Sequence, residues 1–239
     1  MIFPIFNSFN NPIYVDLHSH LLPDIDDGVK SIKESLTIIK KFQELGYKKL
    51  ITTPHIMSHR YPNTKDIILK KLELLQKYIE NENLNIKIVA SAEYYLDNTF
   101  LEQIKTNTLL PFNNKYILFE TTYQSEPINL FEVIFEMQSK GYIPVLAHPE
   151  RYFYLHESLE KYHELKELGV LFQVNVKSLK NQNHSISKMG LKLINLGLVD
   201  FMGSDIHKTS EMKHFEKLLT SRMYENIFKK NTILNNTLN

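Results

Sequence analysis

His18 and His20 stand one residue apart in VDLHSHLLPDIDDG, with Asp24, Asp26 and Asp27 close behind them. On an extended segment alternate side chains leave from the same face, so both imidazoles can grip one cation. Asp205 and His207 in GSDIH repeat that spacing with mixed donors. His55 in TTPH, Glu93 in ASAEYY, Glu120 in ILFET and His148 in LAHPER each lie beside a short apolar run. Imidazole and carboxylate donors without thiolates suit Mn, Fe, Zn or Co, whereas an all-carboxylate set would point to Mg or Ca. Five histidines and up to four carboxylates exceed what one ion takes. They imply a cluster of two or three divalent ions with a bridging carboxylate.

Arg151 follows His148 by three residues, and its guanidinium fork matches phosphate oxygens, although a surface ion pair is the plainer alternative. His156, His163, His184 and His214 lie in or beside helical stretches with no apolar strand before them and read as solvated surface residues.

These donors need a scaffold that brings distant parts of the chain to one point. Apolar strand candidates lie at 13–17, 49–53, 86–90, 116–119, 143–147, 170–174 and 198–202. A capping box with Ser31 at the N-cap and Glu34 three residues on opens a helix that Gly46 ends. Further helices are expected at 127–140, 156–168 and 187–196, each followed by a glycine. Strands alternating with helices predict an α/β fold with a parallel sheet. Candidate donors follow all the strands but the sixth. A rim converging from all sides favours a closed barrel over an open sheet, whose ligands gather at one switch point.

The remaining sequence restricts function by exclusion. Lys and Arg total 28 against 27 Asp and Glu, a net charge of +1, which gives no case for nucleic acid or an acidic membrane surface. No apolar run reaches membrane-spanning length, and MIFPIFNSFNNP lacks the marks of a secretory signal, so a cytoplasmic location is expected. The absence of cysteine excludes a thiolate nucleophile. The chain reads as one domain over 1–239, with an N-terminal extension at 1–12 and a frayed tail at 230–239.

DLHSHLLPDIDDG, TTPH, AEYY, LAHPERY and GSDIH, in that order between about residues 14 and 210, resemble the polymerase and histidinol phosphatase (PHP) superfamily. Within it they look like the bacterial tyrosine-protein phosphatases of capsule and exopolysaccharide operons. The resemblance implies a distorted seven-stranded (β/α) barrel and a phosphoric monoester hydrolase. It implies that His18, His20, Glu93 and Asp205 hold one ion, and that Glu93 bridges to a second completed by Glu120 and His148. Asp26, His55 and His207 would hold a third; Asp24 and Asp27 are equally good carboxylates by physics, and only the family pattern selects Asp26. Asp16 would orient a ligand histidine, and Arg151 would bind substrate phosphate. Manganese is the first expectation for the metal, with Fe, Zn, Co or Mg as alternatives.

Water acidified by the ions would supply hydroxide to attack phosphorus, with Asp205, His207 or a further water as proton donor to the leaving oxygen. The implied partner is a phosphotyrosine protein, a bacterial tyrosine autokinase, with no nucleic acid, no membrane insertion and an oligomer left open. The alternative is a small-molecule phosphatase of histidinol-phosphate type on the same barrel. Two departures stand out: relatives often carry an arginine after GSDxH, where this chain has Lys208 and Lys213, and TTPH runs on into Ile56 and Met57, with His59 and Arg60 beyond. His59 and Arg60 read either as cleft residues or as a solvated loop.

Overall fold

The apolar runs become the strands of one all-parallel sheet. The computed structural model describes residues 11–180 and 183–239, so the first ten residues of the extension lie outside it. In chain order the elements are β1 Val15–Ser19, α1 Ile32–Glu44, β2 Lys49–Thr52, β3 His55–Ile56, α2 Lys65–Asn81, β4 Lys87–Ala90, β5 Glu93–Tyr95, α3 Asn98–Thr106 and β6 Tyr116–Glu120. Then come α4 Leu130–Ser139, β7 Ile143–Ala147, α5 Phe153–His156, α6 Leu159–Glu167, β8 Leu171–Asn175, α7 Ser185–Asn195, β9 Phe201–Ile206, α8 Thr209–Leu219 and α9 Arg222–Lys230. Ser31 caps α1 by accepting from the Glu34 amide, and Ile38, Ile39 and Phe42 form its buried stripe.

The sheet runs β3-β5-β6-β7-β8-β9-β1-β2-β4. Its two ends meet, because β2 and β3 are one interrupted strand and so are β4 and β5. Lys49 pairs with Lys87 and His55 with Glu93 at the same sequence offset. Across the interruption, the Ser91 amide donates to the Thr52 carbonyl and the Glu93 amide to the Pro54 carbonyl. Joined in this way, every strand has two neighbours, and the result is a distorted seven-stranded (β/α) barrel.

Several boundaries moved. The expected helix at 156–168 begins later, as α6 at Leu159, with the short α5 ending at His156, and the third expected strand breaks after Ala90 and resumes at Glu93. The seventh slides from 198–202 to Phe201–Ile206, so Asp205 lies within a strand and not beyond it.

The interior of the ring is filled by Val15, Leu17, Ile51, Leu118, Val145, Ala147 and Phe201, a cluster that no α-helical residue enters. A larger apolar layer separates the strands from the helices. Leu238, fully buried, joins the interior cluster from a short 3-10 helix at Asn235–Leu238. The tail is therefore not frayed. The buried Asn235 side chain donates to the Val15 and Met202 carbonyls at 3.0 and 2.8 Å and accepts from the Met202 amide at 2.9 Å. Three satisfied hydrogen bonds and a buried leucine hold the segment, whose polar composition conceals them.

Candidate metal centre

Regular alternation along β1 would defeat the site. Val15 and Leu17 point into the barrel, so an unbroken strand would turn His18 outward. The pairing of β1 with β9 instead shifts between Leu17↔Gly203 and Ser19↔Ile206, a bulge with one extra residue on β9. His18 at φ 77° and Asp205 at φ 50° both adopt left-handed backbone there, and His148 does so after β7 at φ 36°. Such residues each cost on the order of 1–3 kcal/mol and concentrate at functional sites. His148 also caps a 3-10 turn at Pro149–Arg151, whose three-residue period brings Arg151 back over it.

The side chains converge at the C-terminal rim. His18 Nε2 lies 3.0 Å from Glu93 Oε2 and 3.6 Å from Asp205 Oδ1, and His20 Nε2 lies 3.4 and 3.7 Å from the same two oxygens. His148 Nε2 approaches Glu93 Oε1 at 2.9 Å and Glu120 Oε2 at 3.7 Å. His55 Nδ1 is 3.2 Å from both Glu93 Oε2 and Glu120 Oε1. His207 Nδ1 lies 3.3 Å from Asp205 Oδ1, and its ring stacks on His20 with centroids 3.9 Å apart. Among the described residues, four overlapping donor groups form, each with its atoms within 4.8 Å: His18, His20 and Asp205; His18, Glu93 and His148; His55, Glu93 and Glu120; and His20, Asp27, His55 and His207.

Outer partners fix the donors. Gln173 Oε1 accepts from His18 Nδ1 at 2.6 Å, and Asp26 Oδ2 accepts from His20 Nδ1 at 2.7 Å, so that in the neutral ring the Nε2 lone pair of each turns to the centre. Gln173 Nε2 donates to Asn175 Oδ1, and Asn175 Nδ2 donates to Asp205 Oδ2, both at 2.7 Å. One amide chain on β8 thus ties His18 to Asp205. A Cβ on Gly203 would stand 2.3 Å from Gln173 Nε2, so this relay requires glycine there. Gly28 serves the DDG turn likewise, since a Cβ would stand 2.4 Å from the His20 carbonyl oxygen.

Electrostatics point to bound cations. Burial and the Glu93 charge push Glu120 up to about 7. Burial opposes protonation of His18 and His55, but the facing carboxylates overcome it and raise them to about 9 and about 10. Burial and the Arg151 charge hold His148 down to about 4. Carboxylates packed this closely need positive charge between them, which protons on the histidines only partly supply. His20 Nε2, His55 Nδ1 and Glu120 Oε1 are buried without a hydrogen-bond partner. A shared cation satisfies such atoms, which would otherwise cost about 1–3 kcal/mol each. The residues present therefore fit a cluster of divalent ions.

The expected residues are all placed at the rim, with two corrections. Asp26 does not face His55 and His207: its oxygens accept from His20, from the Gly28 amide at 2.9 Å and from the His55 amide at 3.1 Å. The carboxylate that faces them is Asp27, whose Oδ1 lies 3.5 Å from His55 Nε2 and 3.6 Å from His207 Nε2. Asp16 orients no histidine; it accepts from the Ser204 amide and hydroxyl at 3.0 and 2.8 Å and so braces the β9 bulge.

Arg151 reaches the site, its Nη2 donating to Asp205 Oδ2 at 2.6 Å. Lys177, which the sequence reading passed over, lies 3.2 Å from the same oxygen. Gln173, Asn175 and Lys177 alternate along QVNVK at the end of β8, the strand without a ligand candidate. That period-two polar pattern was the available signal. Beside the donors opens a cleft of about 370 Å³ whose lining includes His55, Glu120, Tyr61, Tyr95, Tyr123 and Arg60. Tyr61 stacks on His55, and Tyr123 meets His148 edge-on.

Comparison with known proteins agrees with this architecture. A "Putative tyrosine-protein phosphatase CapC" of Staphylococcus aureus is 32% identical over 207 residues, 86% of this chain and 81% of that protein. The "Tyrosine-protein phosphatase YwqE" of Bacillus subtilis is 28% identical over 195 residues, 81% of this chain and 77% of its own length. A solved structure from work on YwqE of Bacillus subtilis and CpsB of Streptococcus pneumoniae, described as unique metal-dependent tyrosine phosphatases, superposes with a TM-score of 0.76. It is 26% identical and covers 92% of this chain and 96% of the other. Residues 14–237 match the family described as capsular polysaccharide synthesis, CpsB/CapC, and the chain belongs to that family.

Proposed function

We propose that this protein is a metal-dependent protein-tyrosine phosphatase that hydrolyses phosphotyrosine to tyrosine and inorganic phosphate on a bacterial tyrosine kinase governing capsule or exopolysaccharide synthesis in the cytoplasm. One observation carries the reading: a buried histidine and carboxylate cluster with Arg151 at its edge opens into a cleft walled by Tyr61, Tyr95 and Tyr123. In this reading His18, His20, Glu93 and Asp205 hold one ion, Glu93, Glu120 and His148 a second, and Asp27, His55 and His207 a third, manganese being our first assignment. When bound, these ions acidify water and neutralise charge on the phosphoryl oxygens.

The chain's own residues do the rest. Arg151 keeps guanidinium donors beyond the one spent on Asp205 and directs them at phosphoryl oxygens. The tyrosines give a flat aryl group three ring surfaces to rest on. Phenolate is a weak base, so its departure asks less of a general acid than an alkoxide does. No helix among the described residues is long and apolar enough to cross a membrane.

The test is turnover of a phosphotyrosine peptide, a phosphoserine peptide and histidinol phosphate, before and after chelation and after restoring Mn. Chelator-sensitive activity, highest on phosphotyrosine, is expected. Full activity after metal stripping, or a larger kcat/KM for histidinol phosphate, refutes the proposal.

A further inference from the structure

A second cavity, of about 240 Å³, is lined by Arg151, Lys177, Ser178, Lys180, His184 and Ile186. Its lining holds two lysines, an arginine and a histidine and no carboxylate, in a chain whose net charge is only +1. This concentration of positive charge is therefore local. Arg151 and Lys177 form the wall shared with the metal centre, since both contact Asp205 Oδ2. Their charge is partly committed there, and Glu211 lies 3.6 Å from Lys177. Lys180 forms no ion pair among the described residues, and neither does His184, the residue that precedes α7. The amino end of α7 adds partial positive charge through its first turn, where Ile186 lines the pocket.

We infer that this pocket is a subsite for an acidic side chain, Asp or Glu, beside the phosphotyrosine of the substrate. The inference rests on the phosphotyrosine reading above. The uncommitted charge, one ammonium with the His184 imidazole as a further donor, matches one carboxylate better than a phosphoryl dianion, since the Ser178 hydroxyl already serves the buried Glu150 carboxylate. Because Arg151 and Lys177 belong to both the pocket and the rim of the metal centre, a substrate with its phosphoryl group at the metals holds its neighbouring residues close to the pocket. Successive Cα atoms are about 3.8 Å apart, so a carboxylate one or two positions from the phosphotyrosine can reach it.

The test measures kcat/KM for phosphotyrosine peptides carrying a single Asp, Asn or phosphoserine at each position from two before to two after the phosphotyrosine. p-Nitrophenyl phosphate reports turnover without a flanking chain. Wild-type protein is expected to favour Asp over Asn at one position by about fivefold or more, through KM, with the preference fading at high salt. Lys180→Met with His184→Gln should erase that preference and leave p-nitrophenyl phosphate turnover unchanged. No preference at any position, a preference that survives the double variant, or a gain from phosphoserine alone overturns the inference while the phosphatase reading stands. A parallel loss of p-nitrophenyl phosphate turnover also overturns it, by making the pocket part of the catalytic centre. Inactivity of the wild type on every phosphotyrosine substrate removes the reading beneath it.

Discussion

Replacing Asp26 and Asp27 by asparagine, one at a time, separates a residue that holds the site together from one proposed as a metal ligand. Asp26 is buried and accepts three hydrogen bonds, from His20 Nδ1 at 2.7 Å, the Gly28 amide at 2.9 Å and the His55 amide at 3.1 Å. An asparagine keeps one acceptor oxygen. If that oxygen serves His20 and His55, the amide group confronts the Gly28 donor. One buried donor is then unsatisfied and the charge assistance to His20 is gone, a loss of about 2 kcal/mol. For a chain of this size that corresponds to a fall in Tm of about 4–8 °C in metal-free protein.

Asp27 has a side chain 44% exposed and touches the site only through His55 and His207 at 3.5 and 3.6 Å. Solvent screens those contacts, so Asp27→Asn should shift metal-free stability by less than about 1 kcal/mol while lowering the number of ions retained. The assay pairs thermal denaturation in chelator with elemental analysis of metal-loaded protein. Asp26→Asn protein of unchanged metal-free stability that loses an ion, beside Asp27→Asn protein that keeps them all, would reverse the roles and refute the reasoning.

Gly203→Ala places a methyl group 2.3 Å from Gln173 Nε2 and 2.6 Å from the Leu17 carbonyl oxygen, and should destabilise by about 1–3 kcal/mol; denaturant unfolding checks it, and a wild-type midpoint would show that the relay yields freely. Leu238→Ala should cost about 2–4 kcal/mol in the same experiment, as a fully buried leucine in the barrel interior, whereas a frayed tail predicts no change. Arg151→Met should lower kcat/KM on a phosphotyrosine peptide about 100-fold and weaken competitive inhibition by inorganic phosphate; unchanged phosphate inhibition would confine the arginine to bracing Asp205.

The donors were legible because each is a polar residue against an apolar run, and strand-end position is a one-dimensional property. Ser31 and Glu34 marked the start of α1 for the same local reason. Long-range geometry escaped. Asp26 and Asp27 are identical side chains in one turn, and which of them faces His55 and His207 depends on His20 and on a Gly28 that leaves no room for a Cβ. The tail looked frayed because Asn235 and Leu238 find their partners on β1 and β9, more than 30 residues away in sequence.

The distortion of the barrel and its chemistry are one feature. A regular β1 that buries Val15 and Leu17 would expose His18, so an HxH pair can serve an apolar barrel only if the strand changes phase just before it. The irregular pairing of β1 with the bulged β9 makes that change, at the cost of left-handed backbone at His18 and at Asp205. Both strained residues are then held through β8, His18 by Gln173 and Asp205 by Asn175, with the two amides bonded to each other. This accounts for the one strand without a ligand. Its side chains offset the strain that lets the neighbouring strands provide theirs, and Gly203 is the position where a single methyl group would block that support.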